Sequence, residues 1–219
     1  MAQMWLPLHK NPRLCQEARV SPLSSLFFLS RIHNMLTSPG RFSLKQDISL
    51  IPHPDILVIP CDYTEFQKFL PEFLETIEDN VVGLAELSGT RKNMTHLAIS
   101  SMTQVLVVHF SWGGKMRDKI ANLEPLREFL LNEEILKSAF HMDRIVSSLW
   151  IDYELCIVNA KDLFSMTNAP RGSLDALKTV LGGMSSLCLD GVENLFDNMA
   201  GSYGLKEAAL EAWLDAIVP

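Results

Sequence analysis

Three basic residues and a tryptophan lie close together in SWGGKMRDK, residues 111–119. Lys115, Arg117 and Lys119 are spaced two apart, and Trp112 precedes them. Cationic side chains neutralise the phosphates of a nucleic acid, and aromatic rings offer a surface on which bases stack. These residue types therefore predict a contact with a nucleic-acid backbone. The alternative interpretation is a solvated loop between a strand and a helix.

Other residue patterns that carry chemistry are missing from the sequence. The cysteines, Cys15, Cys61, Cys156 and Cys188, are far apart and form no C-x-x-C pair. The histidines include no i, i+4 pair of the kind that binds zinc on a helix, so each is interpreted as a core or surface residue. There is no G-x-S-x-G motif and no glycine-rich phosphate loop. The cysteine pattern favours buried free thiols and a reducing, intracellular compartment.

A single acid lies in the apolar stretch VVGLAELSG, residues 81–89. The composition predicts a buried strand, and successive side chains of a strand point to opposite faces. Ala85 and Leu87 therefore share one face, and Glu86 points to the other. A slip of one residue would bring Glu86 to the first face, but it would also turn the apolar side chains outward.

The elements that position these residues follow from the spacing of apolar residues. A strand over DILVIP precedes an amphipathic helix within residues 62–80, with Asp62 or Thr64 as its cap and Pro71 inside it. Strands over NVVGLAEL, THLAISSM and TQVLVVHFSW follow, the last two antiparallel. Residues 115–121 are expected to form a loop. The order indicates an α/β fold, a mixed sheet with helices on both faces.

The second half of the chain alternates helices and strands. The expected elements are a helix over LEPLREFLLNEE, a strand over ILKSAF, a helix over HMDRIVSSLWIDYE, a strand within LCIVNAKDLF, and helices over SLDALKTVLGGM and LKEAALEAWLDAIV. In the second of these helices, Ile145, Leu149 and Trp150 are expected to point inward. Residues 184–204 are expected to be rich in loops.

Several of these stretches resemble, in order and spacing, the RNase D-type and Werner-type 3′–5′ exonuclease domain of the DEDD superfamily, which has a ribonuclease H-like fold. VVGLAEL is similar to the first strand of that family, whose motif is VVG-F-D-x-E. The stretch from LEPLREFLL to SSLW is similar to its segment L-x-x-L-L-x-x-x-x-I-x-K-V-G-H-x-x-x-x-D-x-x-x-L. LKEAALEAWLDA is similar to its last motif, Q-x-x-Y-A-A-x-D-A-x. The resemblance covers about residues 52–216.

The resemblance implies a site of four carboxylates that hold two Mg²⁺ or Mn²⁺ ions for phosphodiester hydrolysis. In this chain the first Asp and Glu fall on Ala85 and Leu87, and the second-motif Asp falls on Ile145. The positions that remain acidic nearby are Glu86 and Asp143. Asp143 is two residues from Ile145, about 200° around a helix, and it is more simply a partner of the helix dipole.

The last motif keeps one acid at a ligand position. Glu211 stands where the fourth carboxylate would be, and Glu207 stands where the motif has Tyr. The competing interpretation makes Glu211 a helix-surface residue, with Asp215 one turn further on as another. With the D-x-E pair lost, neither metal ion would be held properly. The resemblance therefore predicts a degenerate exonuclease domain whose hydrolysis is impaired, with no cofactor expected and Mg²⁺ or Mn²⁺ only if it is active.

Charge is distributed unevenly along the chain. Residues 1–45 contain six basic residues and one acid, and the remaining 13 basic and 25 acidic residues give the body a net charge of −12. We expect residues 1–50 to be a basic N-terminal extension, a tail or an extra helix, and residues 51–219 to be the exonuclease-like domain. A basic, acid-poor leader is also typical of a mitochondrial presequence. The nucleus or cytoplasm is the main expectation for the compartment, with the mitochondrion as alternative.

Three hypotheses of function follow. In the first, a pseudo-exonuclease binds single-stranded nucleic acid or a protein partner with little or no cleavage. In the second, an active metal-dependent exonuclease uses Glu86, Asp143 and Glu211 in a shifted geometry. In the third, the domain is purely a protein-interaction module, which the −12 charge of the body favours because nucleic-acid binding depends on phosphate neutralisation. No run of about 18 apolar residues predicts a membrane span, and the sequence leaves the oligomeric state open.

Overall fold

The computed structural model describes residues 40–42, 56–89, 93–110, 116–170, 173–182, 184, 187–197 and 204–218, all within the unit Met35–Pro219. Side chains are described for these residues except 40–42, 116–121, 174, 195 and 197. The predicted extension, residues 1–50, lies outside the described residues apart from 40–42. The division into an extension and a domain stays a prediction.

The strands are β1 (Gly40–Phe42), β2 (Ile56–Asp62), β3 (Val81–Ser88), β4 (Met94–Ser100), β5 (Gln104–His109), β6 (Leu136–Ala139) and β7 (Ala160–Asp162). The α-helices are α1 (Phe66–Leu74), α2 (Met116–Leu130), α3 (Met142–Tyr153), α4 (Leu174–Leu181), α5 (Leu189–Asp197) and α6 (Leu205–Ile217). Short 3₁₀ turns at Tyr63–Glu65 and Leu163–Met166 follow β2 and β7. Asp62 caps the first of these turns, because its side chain accepts from the Thr64 backbone N–H at 3.0 Å.

The strands form one mixed sheet in the order β1-β2-β5-β4-β3-β6-β7. β3, β4 and β5 make an antiparallel meander, while β6 and β7 continue from β3 in parallel. On the other side β2 runs parallel to β5, and β1 is antiparallel to β2. The described residues thus confirm the predicted α/β mixed sheet, including the antiparallel pairing of β4 with β5.

Each face of the sheet is covered by its own set of helices. Side chains from α1, α2 and α3 form one core with Leu84 and Leu97, and side chains from α4, α5 and α6 form the other core with Ala85 and Ala98. Neighbouring residues of a strand enter opposite cores because strand side chains alternate. The predicted alternation along β3 is therefore correct, and helices do cover both faces.

Three sequence expectations about local structure are wrong. Trp150 is 57% exposed, whereas Ile145 and Leu149 are buried as predicted. Trp150 is about 140° around the helix from Ile145, which is too far to share the buried stripe. Helix α2 begins at Met116, so residues 116–121 are helical; their charged side chains are compatible with a helix because Lys and Arg are good helix formers. Residues 189–197, within the expected loop region, form α5.

A buried lysine, Lys137, forms a hydrogen bond within the connection between α2 and β6. Lys137 is fully buried, and its Nζ donates to the backbone oxygen of Asn132. Burial lowers the pKa of this ammonium to about 8, because a charged group is costly to desolvate. The Lys137 side chain therefore stabilises the turn that leads into β6.

Candidate functional site

Helix α6 lies directly on β3, the strand that carries the first motif of the resemblance. A Cβ added to Gly83 would lie 1.8 Å from the backbone oxygen of Ala212 and 2.5 Å from the backbone nitrogen of Ala216. Only glycine permits so close an approach of a helix backbone to a strand. The site that the motifs predict is therefore the contact surface between β3 and α6.

Apolar side chains fill this contact at the motif positions of β3. Ala85 is 1% exposed and belongs to the core that contains Ala208, Ala212 and Trp213, and Leu87 packs against the same core. Where the resemblance places two carboxylates, the structure has a methyl group and an isobutyl group packed in or against the core on the α6 face of the sheet. Ala85 and Leu87 lie on one face of β3, as the alternation along the strand predicted.

Ile145 does not lie with Ala85 and Leu87. It is buried in the core on the opposite face of the sheet, among side chains of α1, α2 and α3. Asp143 is exposed in the first turn of α3, where a negative charge stabilises the positive end of the helix dipole. Neither residue lies in the contact surface between β3 and α6.

Glu86 also faces away from α6. Its Oε1 forms an ion pair with Nε of Arg144 on α3 and accepts from Ser88 Oγ at 3.2 Å. Arg144 Nη2 in turn donates to Ser88 Oγ at 3.0 Å. The Glu86 side chain is almost completely buried, so the Arg144 charge balances a carboxylate that would otherwise be costly to desolvate. Glu86 and Glu211 are thus on opposite faces of the sheet.

Glu207 has a structural task at the start of α6. Its Oε2 accepts from the Gly204 backbone N–H at 3.1 Å, which caps the helix in the manner of a capping box. This carboxylate is the residue that stands at the tyrosine position of the last motif. The structure therefore places it in the helix cap.

The interpretation of Glu211 and Asp215 as helix-surface acids is wrong, because Glu211 is 4% exposed and Asp215 is fully buried. Asp215 Oδ1 accepts from the Phe140 backbone N–H at 3.1 Å, and Oδ2 has no hydrogen-bond partner in the described residues. The sequence signal was available: α6 carries apolar residues on every side, and a helix of that kind is buried.

The environment of Asp215 disfavours its charged form. Burial, together with the nearby carboxylates of Glu211 and Asp162, holds the pKa of Asp215 well above its usual range, although the Phe140 N–H opposes the shift. Both main causes raise the free energy of a carboxylate relative to its neutral acid. Asp215 and Glu211 therefore behave as a desolvated acid pair beneath the sheet.

This donor set does not fit two divalent metal ions. Mg²⁺ and Mn²⁺ need several oxygen ligands in near-octahedral geometry, and three of the motif positions, Ala85, Leu87 and Ile145, supply none. Within the part of the chain that the structure describes, no group of three or more His, Cys, Asp or Glu side chains could hold a metal ion.

The predicted basic cluster is only partly within the described residues. Lys115 lies outside them, and Arg117 and Lys119 lie in the first turn of α2, where only the backbone is described. The assignment of these three residues to a nucleic-acid contact stays a prediction. No helix among the described residues has the length and apolar character needed to cross a membrane.

The strand order and the helix packed across the central strand define the class of domain. A meander of three antiparallel strands, extended by two parallel strands beyond its first strand, is the arrangement of the ribonuclease H-like fold, as the sequence resemblance predicted.

The chain is similar to solved structures of the EXD2 exonuclease domain. The structure soaked in Mg and GMP is 23% identical, with 57% of this chain and 68% of that chain covered and a TM-score of 0.41. The structure soaked in Mn and GMP is 20% identical, with coverages of 74% and 83% and a TM-score of 0.42. The structure soaked in Mg and dGMP is 19% identical, with coverages of 72% and 95% and a TM-score of 0.40. No protein-family model and no curated protein matches the chain.

The buried acid makes stability depend on pH in a defined direction. A carboxyl whose folded-state pKa is raised contributes fully below the unfolded pKa of about 4, and its contribution is lost as pH rises through the folded pKa. We expect Asp215→Asn to remove this loss, since the amide is neutral and its oxygen can still accept from Phe140 N–H. The variant should be more stable than the wild type at pH 8, with the difference shrinking towards pH 4 in urea unfolding.

The exposed carboxyl of Asp190 provides the matched control for this prediction. Asp190→Asn should keep the wild-type difference in stability between pH 4 and pH 8. Parallel stability curves for the wild type and Asp215→Asn over that interval would show that the Asp215 carboxyl does not carry the expected proton linkage.

Proposed function

We propose that this protein is a pseudo-exonuclease, a ribonuclease H-like domain that acts by binding nucleic acid or a protein partner and does not hydrolyse phosphodiester bonds. The observation that carries the proposal is the closed contact between β3 and α6. Ala85 is buried in the same core as Ala208 and Ala212, at the position where the resemblance requires a metal-binding carboxylate. A two-metal site of that family needs carboxylates on both β3 and α6, and here α6 brings only the buried Glu211 and Asp215 against the apolar positions of β3.

Loss of the carboxylates has a large effect on rate. Removing one group of a catalytic unit commonly lowers the rate by several powers of ten, and further losses add little because the unit already fails. The remaining acids support the same conclusion. Glu86 is paired with Arg144 on the opposite face, and Glu207 caps α6.

We expect no release of nucleotides from the 3′ end of labelled single-stranded DNA or RNA in the presence of Mg²⁺ or Mn²⁺. Denaturing gel electrophoresis of time points would measure this, with Glu211→Gln as the matched variant. Wild type and variant should be indistinguishable. Degradation by the wild type that is lost in Glu211→Gln would instead support the active exonuclease with a shifted set of carboxylates.

A binding measurement on the same substrates separates the remaining alternatives. If Lys115, Arg117 and Lys119 contact phosphates, affinity for single strands should fall with salt, and changing all three to Ala should reduce the slope of log K against log[salt] by about 2. Binding without degradation supports the proposal. Absence of binding to both polymers at low salt would leave the protein-interaction function.

One feature favours a protein partner as the second candidate function. Val146, Trp150 and Ile151 of α3 are 37%, 57% and 76% exposed and lie within about 140° of one another around the helix. Exposed tryptophan is a frequent anchor in protein interfaces. Together with the net charge of −7 of the chain, this stripe supports binding of a protein rather than an extended polyanion.

The intracellular location is also part of the proposal. It is supported by the cysteines: Cys61, Cys156 and Cys188 are free thiols in the described residues, and free thiols persist in reducing compartments. The nucleus or cytoplasm is the main expectation, and import into mitochondria is the alternative that an epitope-tagged chain would reveal by fractionation.

A further inference from the structure

Two histidines face each other across neighbouring strands of the sheet. His96 of β4 is paired in register with His109 of β5, and their ring centroids are 4.8 Å apart. The next pair along the two strands, Thr95 and Phe110, is joined by a backbone hydrogen bond from Phe110 N–H to Thr95 O at 2.9 Å. Hydrogen-bonded and non-hydrogen-bonded pairs alternate along an antiparallel ladder, so the histidines occupy a non-hydrogen-bonded pair, where side chains approach most closely.

Hydrogen bonding determines which nitrogen of His96 carries a proton. Thr95 Oγ1 donates its hydrogen to the backbone oxygen of Leu87 at 2.9 Å. A hydroxyl has one hydrogen, so Thr95 Oγ1 can only accept from His96 Nδ1, which lies 3.0 Å away. His96 Nδ1 is therefore protonated. The neutral ring then presents a bare lone pair at Nε2.

That lone pair is buried and has no partner. His96 is 7% exposed, and its Nε2 makes no hydrogen bond with the described residues. Burial, together with the nearby His109, lowers the pKa of His96 to about 3, so the ring remains neutral at physiological pH. An unsatisfied buried nitrogen is rare in folded proteins, and a ligand is one of its ordinary explanations.

His109 has a carboxylate as the neighbour of its own Nδ1. Its Nδ1 lies 3.6 Å from Oδ2 of Asp62, the residue paired with it on β2. Asp62 is itself fixed, since Oδ1 accepts from Thr64 N–H and from the Thr64 hydroxyl at 2.8 Å. A carboxylate at Nδ1 orients an imidazole and leaves its Nε2 for a metal. Each ring therefore has a polar group of the protein beside its Nδ1.

We propose that His96 and His109 form a two-imidazole binding site for a borderline transition-metal ion such as Cu²⁺, Ni²⁺ or Zn²⁺. The protein would supply two nitrogen ligands, and water would complete the coordination through the His109 side, whose side chain is 33% exposed. Imidazole suits these ions and not Mg²⁺ or Mn²⁺, which prefer oxygen. The absence of a larger donor group in the described residues is consistent with a site of only two protein ligands.

This site is distinct from the motif positions and does not depend on the proposed function. Leu87 is paired with His96 across β3 and β4, so the imidazoles lie beside the degenerate carboxylate position without using it. Metal could bind here whether or not the domain cleaves or binds nucleic acid, so failure of either proposal leaves the other standing.

The test is a titration of the full chain with Cu²⁺ or Ni²⁺, monitored by calorimetry, in a background with Cys15→Ser, Cys156→Ser and Cys188→Ser, which leaves only the buried thiol of Cys61. We expect the background protein to bind one metal ion at the two histidines. The affinity for this ion should fall at least about tenfold in His109→Gln, because half of the protein ligands are lost. His141→Gln should bind as the background does. Asp62→Asn should weaken binding by about tenfold through the orientation of His109.

A spectroscopic readout distinguishes coordination from a structural role. Pulsed electron paramagnetic resonance of the Cu²⁺ complex should report two coordinated imidazoles in the background protein and one in His109→Gln. Superimposable titrations of the background protein and His109→Gln, or the absence of any binding equivalent that depends on these histidines, would overturn the proposal. The test changes the partly exposed His109 and leaves the buried His96 in place, so it does not depend on whether a His96 variant folds.

Discussion

Gly83→Ala is expected to destabilise the protein by about 4 kcal/mol, within the range that is exceptional for a single substitution. The added Cβ would lie 1.8 Å from the Ala212 backbone oxygen and 2.8 Å from the Asp215 Cβ. The clashing atoms belong mainly to the backbone of α6, so no side-chain rotation can relieve them. Either α6 must move away from β3, or the sheet must deform. Since natural domains are stable by about 5–15 kcal/mol, much of the margin would be lost, as urea unfolding would measure.

Gly89→Ala is the matched control for this change. A Cβ at Gly89 would meet the Thr95 Cγ2 methyl at 2.8 Å, and that atom is the end of a side chain. Rotation of Thr95 would relieve the contact but break the hydrogen bond from its hydroxyl to the Leu87 backbone oxygen, so we expect a cost of about 2 kcal/mol, half of that at Gly83. A cost below about 1 kcal/mol for Gly83→Ala would mean that α6 is not held against β3 as described, and the closed contact that supports the pseudo-exonuclease proposal would fail with it.

Trp213→Ala is the second change with a large expected effect, a loss of about 3–5 kcal/mol. Trp213 of α6 is 2% exposed within the core of its face, and its Nε1 donates to the Met102 backbone oxygen at 3.0 Å. The substitution leaves a large cavity and an unsatisfied carbonyl group. Trp213→Phe retains most of the buried ring but removes the donor, so it should cost less than the alanine change.

Trp150, the other tryptophan in the described residues, allows a matched comparison for the same chemical change. Trp150→Ala removes a side chain that is 57% exposed, and an exposed substitution of this kind usually changes stability by less than about 0.5 kcal/mol. Equal costs for Trp213→Ala and Trp150→Ala in the same denaturant titration would contradict the burial pattern of α6. If Trp150 anchors a partner, its loss should reduce binding without a change in unfolding midpoint.

Local sequence patterns were sufficient for most of the framework. Alternation along β3 placed Ala85 and Leu87 on one face and Glu86 on the other, and the structure agrees. Spacing of apolar residues also predicted most of the strands and helices, because side-chain direction in a strand or helix repeats with a short, fixed period. The burial of Trp150 was predicted wrongly because the apolar residues next to it in the sequence do not show which of them faces the core. Helix α5 was not predicted because its glycine-containing sequence is typical of a loop, and the helix is seen only in the folded chain.

The acids of α6 show most clearly the difference between what the sequence predicts and what only the folded chain decides. From the sequence alone, Glu207 and Glu211 are helix acids one turn apart, and only the resemblance distinguishes them, by placing Glu211 at a ligand position. In the folded chain Glu207 caps α6, while Glu211 is buried beside Asp215. Which acid is desolvated depends on the face of α6 that meets β3, and that contact joins residues more than 100 positions apart.

Sequence by itself determined the α/β framework and the apolar character of the positions where metal ligands would stand, because both follow from residue types and from periods of two or 3.6 residues. Only the tertiary structure decided that α6 closes onto Gly83, that Asp215 is a buried acid, and that His96 meets His109. These features depend on strand register and helix docking, which are set by contacts between distant segments. Histidines 13 residues apart become neighbours only when β4 and β5 pair.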